Sequence, residues 1–373
     1  MSFNKNQHVF FALVRAGLWE KQVLFSQYEA INYNEIYRIA QEQSLVGLVT
    51  AGIEHIEEFK VPQDVVLKFV GDTLQLEQRN ALMNDFIVTL INKLRTEGVY
   101  TLLVKGQGIA QCYERPLWRA SGDIDLFFSE HNYPKALQIL SLKASKVDEE
   151  LSYIKHIAMK ISSFDVELHG SFRCGLWRTI DRELDELQYV IFNEGKVRSW
   201  LIGGTQVFLP HEDEDVVYVF SHILEHFFKE GIGLRQICDW CRLLWTFKDS
   251  LNYGLLESRI RKMGLMTEWK AFAAFAVDWL GMSVDAMPLY SDKKMWSRKA
   301  EKIMEFVLET GNFGYNRDYS YQLKYPFLVY KAVSFWLHIK DTCKYFTIFP
   351  LDSLKVLERK IYVGISVVLS GCK

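Results

Sequence analysis

From Gln7 to about Arg95 apolar residues recur at helical spacing, as in Val9, Phe10, Leu13 and Val14 and again in Ile36, Ile39, Leu45 and Leu48. The spacing predicts a helical N-terminal region over 1–95. The period changes at Val99–Val104, where VYTLLV is short, β-branched and aromatic and is closed by Lys105-Gly106-Gln107-Gly108. That pattern predicts a strand ending in a tight turn. A short helix is expected over Ile109–Tyr113, a loop at Pro116, a second strand over Asp123–Phe128 and a helix over Tyr133–Leu142. Leu151–Ile161 and Phe164–His169, joined by Ser162-Ser163, predict a hairpin, and Thr205–Leu209 adds a strand. After Pro210 the run His211-Glu212-Asp213-Glu214-Asp215 suits the N-terminal dipole of a long helix. Helical periodicity then dominates to about Phe346, with no internal repeat and no low-complexity linker. This order implies an α+β fold: a small mixed β-sheet core over 96–210, a helical N-terminal region over 1–95 and a helical C-terminal domain over 211–373.

Composition narrows the class. A chain of 373 residues with 49% apolar and 24% charged residues is long enough for two domains and is expected to fold throughout. Its formal net charge of -2 gives no general attraction for nucleic acid, so a nucleic-acid partner is not expected and a phosphate ligand would need a local basic cluster. Six cysteines are too sparse for a disulfide framework and suit a reducing cytoplasm. The first residues lack the apolar core and cleavage site of a secretory signal. Tyr325–Ile339 and Ile361–Gly371 are apolar but shorter than the roughly 20 residues of a membrane-spanning helix. Both read as buried elements, and no membrane span is expected.

The chemistry concentrates in Arg119-Ala120-Ser121-Gly122-Asp123-Ile124-Asp125-Leu126-Phe127-Phe128. In a strand, alternate side chains share a face, so Asp123 and Asp125 point together while Ile124, Leu126 and Phe128 point the other way. Two anions on one face are costly unless solvated, protonated or holding a cation, and hard oxygen ligands suit Mg²⁺. A surface strand with a wet polar face would carry the same short motif. Phe164-Asp165-Val166-Glu167-Leu168-His169 repeats the alternation. If the two strands pair, their backbones lie about 4.8 Å apart and Glu167 joins Asp123 and Asp125 around one or two cations. His169 reads as a hydrogen-bonding core histidine.

Leu102-Leu103-Val104-Lys105-Gly106, Gly122-Asp123-Ile124-Asp125-Leu126 and Val166-Glu167-Leu168-His169 together resemble the polymerase-β-like nucleotidyltransferase superfamily. Within it the chain looks most like an uncharacterised bacterial branch, through Lys105-Gly106, Arg119, His222 with His226, Leu234-Arg235 and Asp239. The resemblance covers about Val99 to Cys241. It implies a small mixed nucleotidyltransferase β-sheet core and Mg²⁺-dependent transfer of a nucleoside monophosphate from a nucleoside triphosphate to the hydroxyl of a small molecule or protein. Asp123, Asp125 and Glu167 would be the catalytic and metal-binding residues, with two Mg²⁺ ions during turnover. Gly106-Gln107 departs from the superfamily's Gly-Gly or Gly-Ser, which removes a small hydroxyl donor from the phosphate site. Lys105, Gly106, Gln107 and Gly108 with Arg115 and Arg119 are the expected nucleotide-binding set. A second reading from the same motifs is a catalytically inactive nucleotide- or partner-binding protein.

His222 and His226 one helical turn apart, followed by Cys238 and Cys241, mimic a zinc site, against a default of buried hydrogen bonding. No HExxH, Gly-x-Ser-x-Gly or Walker-type segment occurs. Trp269, Phe272, Phe275 and Trp279 fall at helical spacing and are expected in the core.

Overall fold

A computed structural model describes residues 4–24, 28, 30–57, 61–151, 154–229, 231–317, 326–358 and 361. Helices α1 (Lys5–Trp19), α2 (Tyr33–Glu42), α3 (Val46–Glu54) and the 34-residue α4 (Gln63–Thr96) come first. The strands β1 (Leu102–Val104), β2 (Ile124–Phe127), β3 (Ala144–Val147), β4 (His156–Ile161), β5 (Phe164–His169), β6 (Val197–Ile202) and β7 (Thr205–Pro210) form one sheet in the order β3-β4-β5-β2-β1-β7-β6. Between them lie α5 (Gly106–Ala110), α6 (Asn132–Ser141) and α7 (Arg178–Asn193). Helices α8 (Glu212–Lys229), α9 (Leu234–Thr246), α10 (Tyr253–Met263), α11 (Met266–Asp278) and α12 (Lys294–Thr310) follow, and a helix over Phe327–Phe346 comes after them.

The alternation within the strands decides how the sheet is covered. Leu103, Ile124, Leu126, Met159, Val166 and Leu168 face one side, where Met83, Ile87, Leu90, Ile91 and Leu94 of α4 and Ala136 and Leu140 of α6 bury them. The opposite face carries Asp125, Glu167 and His169 toward α8 and α9. Around it a larger apolar cluster joins α1 to α3 with α7 to α12 and takes in Leu102, Val104 and Phe127. Trp269, Phe272 and Phe275 are wholly buried there, and Trp279 packs on Phe11 with ring centroids 5.4 Å apart. Helices α1 and α3 cross at glycines. A Cβ on Gly17 would lie 2.0 Å from the Leu48 carbonyl oxygen, and one on Gly52 2.1 Å from that of Leu13.

The expected β4–β5 hairpin is present, with Ser162 in the left-handed region at φ 54°. Its first strand begins only at His156, because Leu151 enters a single bridge to His156, and 152–153 lie outside the described residues. Two elements escape the periodicity reading. Edge strand β3 has mostly exposed side chains and β6 alternates only between half-buried and exposed positions, whereas α7 was readable from Ile180, Leu184, Leu187 and Ile191 at helical spacing and from Gly195, at φ 70°, just past its end. Gly203 and Gly204, both at positive φ, turn β6 into β7. The apolar stretch Tyr325–Ile339 falls largely in the helix Phe327–Phe346, whereas of Ile361–Gly371 only Ile361 is among the described residues. Among the described residues no helix is long and apolar enough to cross a membrane.

Candidate active site

Strand β2 runs parallel to β5, and Asp125 is the register partner of Glu167. The alternation that buries Ile124 and Leu126 against α4 sends Asp123 and Asp125 to the other face, where they and Glu167 line a cavity of about 600 Å³. Helices α8 and α9 close it, contributing Tyr218, His222, Glu225, His226, Arg235 and Gln236.

Asp125 is buried and doubly held. Lys105 Nζ lies 2.7 Å from Asp125 Oδ1, and His169 Nε2 lies 2.8 Å from the same oxygen. Lys105 reaches it from the end of β1 in a left-handed backbone conformation, φ 54°. Glu167 Oε2 is 3.1 Å from His156 Nε2 and 3.5 Å from His169 Nε2. Burial alone would raise both carboxyl pKa values, but Lys105 and His169 hold Asp125 below the usual carboxylate range, and His156 and His169 hold Glu167 far below it. Asp123 has no such partner. Burial, with Asp125 and Glu167 beside it, pushes its pKa up. Burial opposes the charged form of His169, yet its bonds to Asp125 and Glu167 raise its pKa overall. His222 shows the converse: burial, then Lys105 and His226 nearby, bring it down to about 3, a neutral imidazole.

Asp123, Asp125 and Glu167 line one cavity, and hard carboxylate oxygens are donors that suit divalent cations. Burial first, and then the charges of Asp125 and Glu167, push Asp123 up, and a cation would relieve the repulsive part. The three carboxylates do not bring ligand atoms within 4.8 Å of one another. Among the described residues, the His, Cys, Asp and Glu side chains whose ligand atoms cluster within 4.8 Å are His156, Glu167 and His169. No three of His222, His226, Cys238 and Cys241 gather in that way. His222 and His226 bond each other at 3.0 Å, while Cys238 and Cys241 are wholly buried thiols in α9.

The expected nucleotide-binding set separates. Lys105, Gly106 and Arg119 line the cavity. Gln107 faces away from it, 1% exposed, and donates to Asn80 Oδ1 on α4 at 3.0 Å. Gly108 is a packing position, where a Cβ would meet Leu209 at 2.9 Å. Arg115 does not reach the cavity either; its Nη1 lies 2.6 Å from Glu54 on α3, and its guanidinium covers the Trp118 ring. Arg119 is gripped at both ends by Asp239 of α9, Nε to Oδ1 at 2.8 Å and Nη2 to Oδ2 at 2.7 Å, so as a phosphate clamp it would first have to leave a buried carboxylate.

A family profile described as uncharacterised nucleotidyltransferase matches residues 29–281. The chain belongs to that family. The match spans α2 through α11 and includes every residue of the cavity wall named so far. Comparison with curated proteins gives no match. Among solved structures, an antigenic nucleotidyltransferase-like protein from Paracoccidioides brasiliensis is similar at a TM-score of 0.32 and 12% identity, covering 54% of this chain and 93% of that one.

The cavity also holds residues that the sequence motifs do not mark, His156 and Gln236 among them. His156 was readable, because a turn at Ser162-Ser163 that pairs Ile161 with Phe164 leads back to His156 opposite His169. Gln236 carried no signal, since a glutamine in the first turn of a helix is ordinary until the cavity beside it is known.

Proposed function

We propose that this nucleotidyltransferase-family chain moves a nucleoside monophosphate from a nucleoside triphosphate to a hydroxyl of a small molecule or protein, with Mg²⁺ held by Asp123, Asp125 and Glu167. The observation that carries the reading is the pairing of β2 with β5, which brings three carboxylates to one wall of a cavity whose size is within the range of about 300–1,000 Å³ typical of ligand sites. Bound Mg²⁺ would supply charge neutralisation at the transferring phosphoryl group and activation of the attacking hydroxyl.

The chain's own residues supply the rest. The acceptor oxygen forms a bond to the α-phosphorus as the bond to the β-phosphate oxygen breaks; pyrophosphate leaves with that electron pair, and the hydroxyl proton passes to solvent water. Glu167, kept ionised by His156 and His169, is better suited to ligation than to taking that proton. Lys105 has two roles available. It neutralises Asp125, and its ammonium can swing to phosphate oxygens once a divalent cation takes over that charge. His169 fixes the Asp125 carboxylate and is in turn stacked on Phe127, centroids 5.9 Å apart, so the pair is held in one orientation. The five described cysteines are free thiols, four of them buried, which supports a reducing cytoplasm.

One observation favours the second reading, a non-catalytic nucleotide- or partner-binding protein: Asp125 is already paired with Lys105 and hydrogen-bonded to His169. Incubation with each of the four triphosphates and Mg²⁺, read by mass for nucleotide transfer and by released pyrophosphate, separates the two. Metal-dependent pyrophosphate release that is lost in Asp125→Asn supports the enzyme. Nucleotide binding without turnover supports the binder.

A further inference from the structure

The cations expected to meet a triphosphate are largely committed elsewhere: Arg119 to Asp239, Arg115 to Glu54 and Lys105 to Asp125. Arg235 is the contrast. It lines the cavity at 7% exposure, its Nη1 donates to the Ala120 carbonyl at 2.7 Å, and its Nε has no partner. Among the described residues no carboxylate lies within ion-pair distance of it. Next to it Gln236, 6% exposed, lines the same cavity with neither Oε1 nor Nε2 bonded. A buried polar group without a partner costs about 1–3 kcal/mol, so two adjacent ones at a cavity wall call for a ligand.

Their place in the fold says which kind. Both lie in the first turn of α9, a 13-residue helix with no acidic residue in that turn, whose N-cap Gly233 offers no side chain and whose Leu234 N–H donates to Gln43 Oε1 at 2.9 Å. The N-terminal dipole and the guanidinium, which feels Asp239 and Asp123 without a direct ion pair to either, both favour an anion. Arg235 also ties down the Ala120 carbonyl on the segment that leads directly into Asp123, so an anion bound to it lies beside the carboxylate wall. The anion that the proposed reaction delivers there is a phosphate chain.

We propose that Arg235 and Gln236 bind the phosphate chain of the nucleoside triphosphate, in the role that the sequence pattern gives to Arg115 and Arg119. This rests on the nucleotidyl-transfer reading of the cavity. Arg235 holds the non-bridging oxygens of the leaving phosphates, and the Gln236 amide, closed off from solvent beside it, turns toward the cavity to donate to them through Nε2. Phe313, whose ring centroid is 5.6 Å from the Arg235 guanidinium carbon, lines the same cavity.

The test is calorimetric binding of inorganic tripolyphosphate without metal, alongside kinetics with Mg²⁺ and each triphosphate. Arg235→Gln is expected to weaken tripolyphosphate about tenfold to a hundredfold, as loss of a charge-assisted hydrogen bond does. Arg235→Lys should recover part of that loss. Gln236→Glu, isosteric and therefore expected to fold, should weaken binding by about tenfold through repulsion, with KM for the triphosphate rising more than kcat falls. Thermal unfolding identifies any variant that loses the fold, and Gln236→Glu keeps the question answerable if Arg235→Gln does. No tripolyphosphate binding to the wild type, or equal affinity in the wild type and Gln236→Glu, overturns the proposal while leaving the carboxylate reading intact. Weakened binding in these variants with no metal-dependent transfer by the wild type keeps the phosphate site and rejects the transfer reading.

Discussion

Asp125 accepts from Lys105 and His169 on a single oxygen, and this crowding makes it the residue whose loss is most informative. Asp125→Asn removes a charge with almost no change of shape, and metal-dependent turnover is expected to fall by about a hundredfold or more, the scale seen when one electrostatic contact to a transition state is lost. Steady-state pyrophosphate release measures it, and wild-type turnover in that variant would reject the metal-site assignment. A second residue tests linkage far from the cavity. Glu268 is wholly buried in α11, and burial together with the neighbouring Asp352 pushes its pKa well up. With a raised pKa in the folded state, its contribution to stability is complete below the unfolded value of about 4.5 and is lost as pH rises through the folded value. Glu268→Gln removes that loss. The variant should therefore gain stability over the wild type progressively above about pH 4.5, as denaturant titrations across pH would show; a gain independent of pH would contradict the assignment.

The helical N-terminal region gives a test at the level of elements. Helices α1 and α3 approach so closely at Gly17 that the Leu48 carbonyl occupies the space of a Cβ. Gly17→Ala is expected to push them apart and to cost about 1–3 kcal/mol, as overpacking does in other cores. Urea unfolding measures the cost, and unchanged stability would mean that the crossing is not close. The strands show what periodicity can and cannot deliver. Phe164-Asp165-Val166-Glu167-Leu168-His169 alternates cleanly because one face meets α4 and α6 and the other the cavity, so it was legible. Val197–Ile202 sits at the sheet edge with no deeply buried face, so β6 left no clear alternation to read.

At the scale of the whole molecule, the cavity is assembled from the sheet and from α8 and α9, so a ligand spanning it ties the central sheet to the C-terminal helices. A nucleoside triphosphate with Mg²⁺ at a hundred times its Kd is expected to add about 2.7 kcal/mol to stability by mass action. Thermal unfolding should rise with Mg²⁺ and triphosphate together, and a chelator or Asp125→Asn should remove the Mg²⁺-dependent part of the rise; a shift that survives both would place the ligand elsewhere. By itself the sequence determined what is encoded within a few residues, namely the strand and helix periods, the shared face of Asp123 and Asp125 and the hairpin around Ser162-Ser163, and over a longer span the membership of the nucleotidyltransferase family. The tertiary structure decided which charges are spent. Arg119 meets Asp239 from 120 positions away, Gln107 turns inward to Asn80, and Arg115 meets Glu54, while Arg235 reaches the cavity wall with its Nε unbonded. Local sequence fixes where a side chain points, but whether its charge is neutralised depends on the partner that long-range packing brings to it.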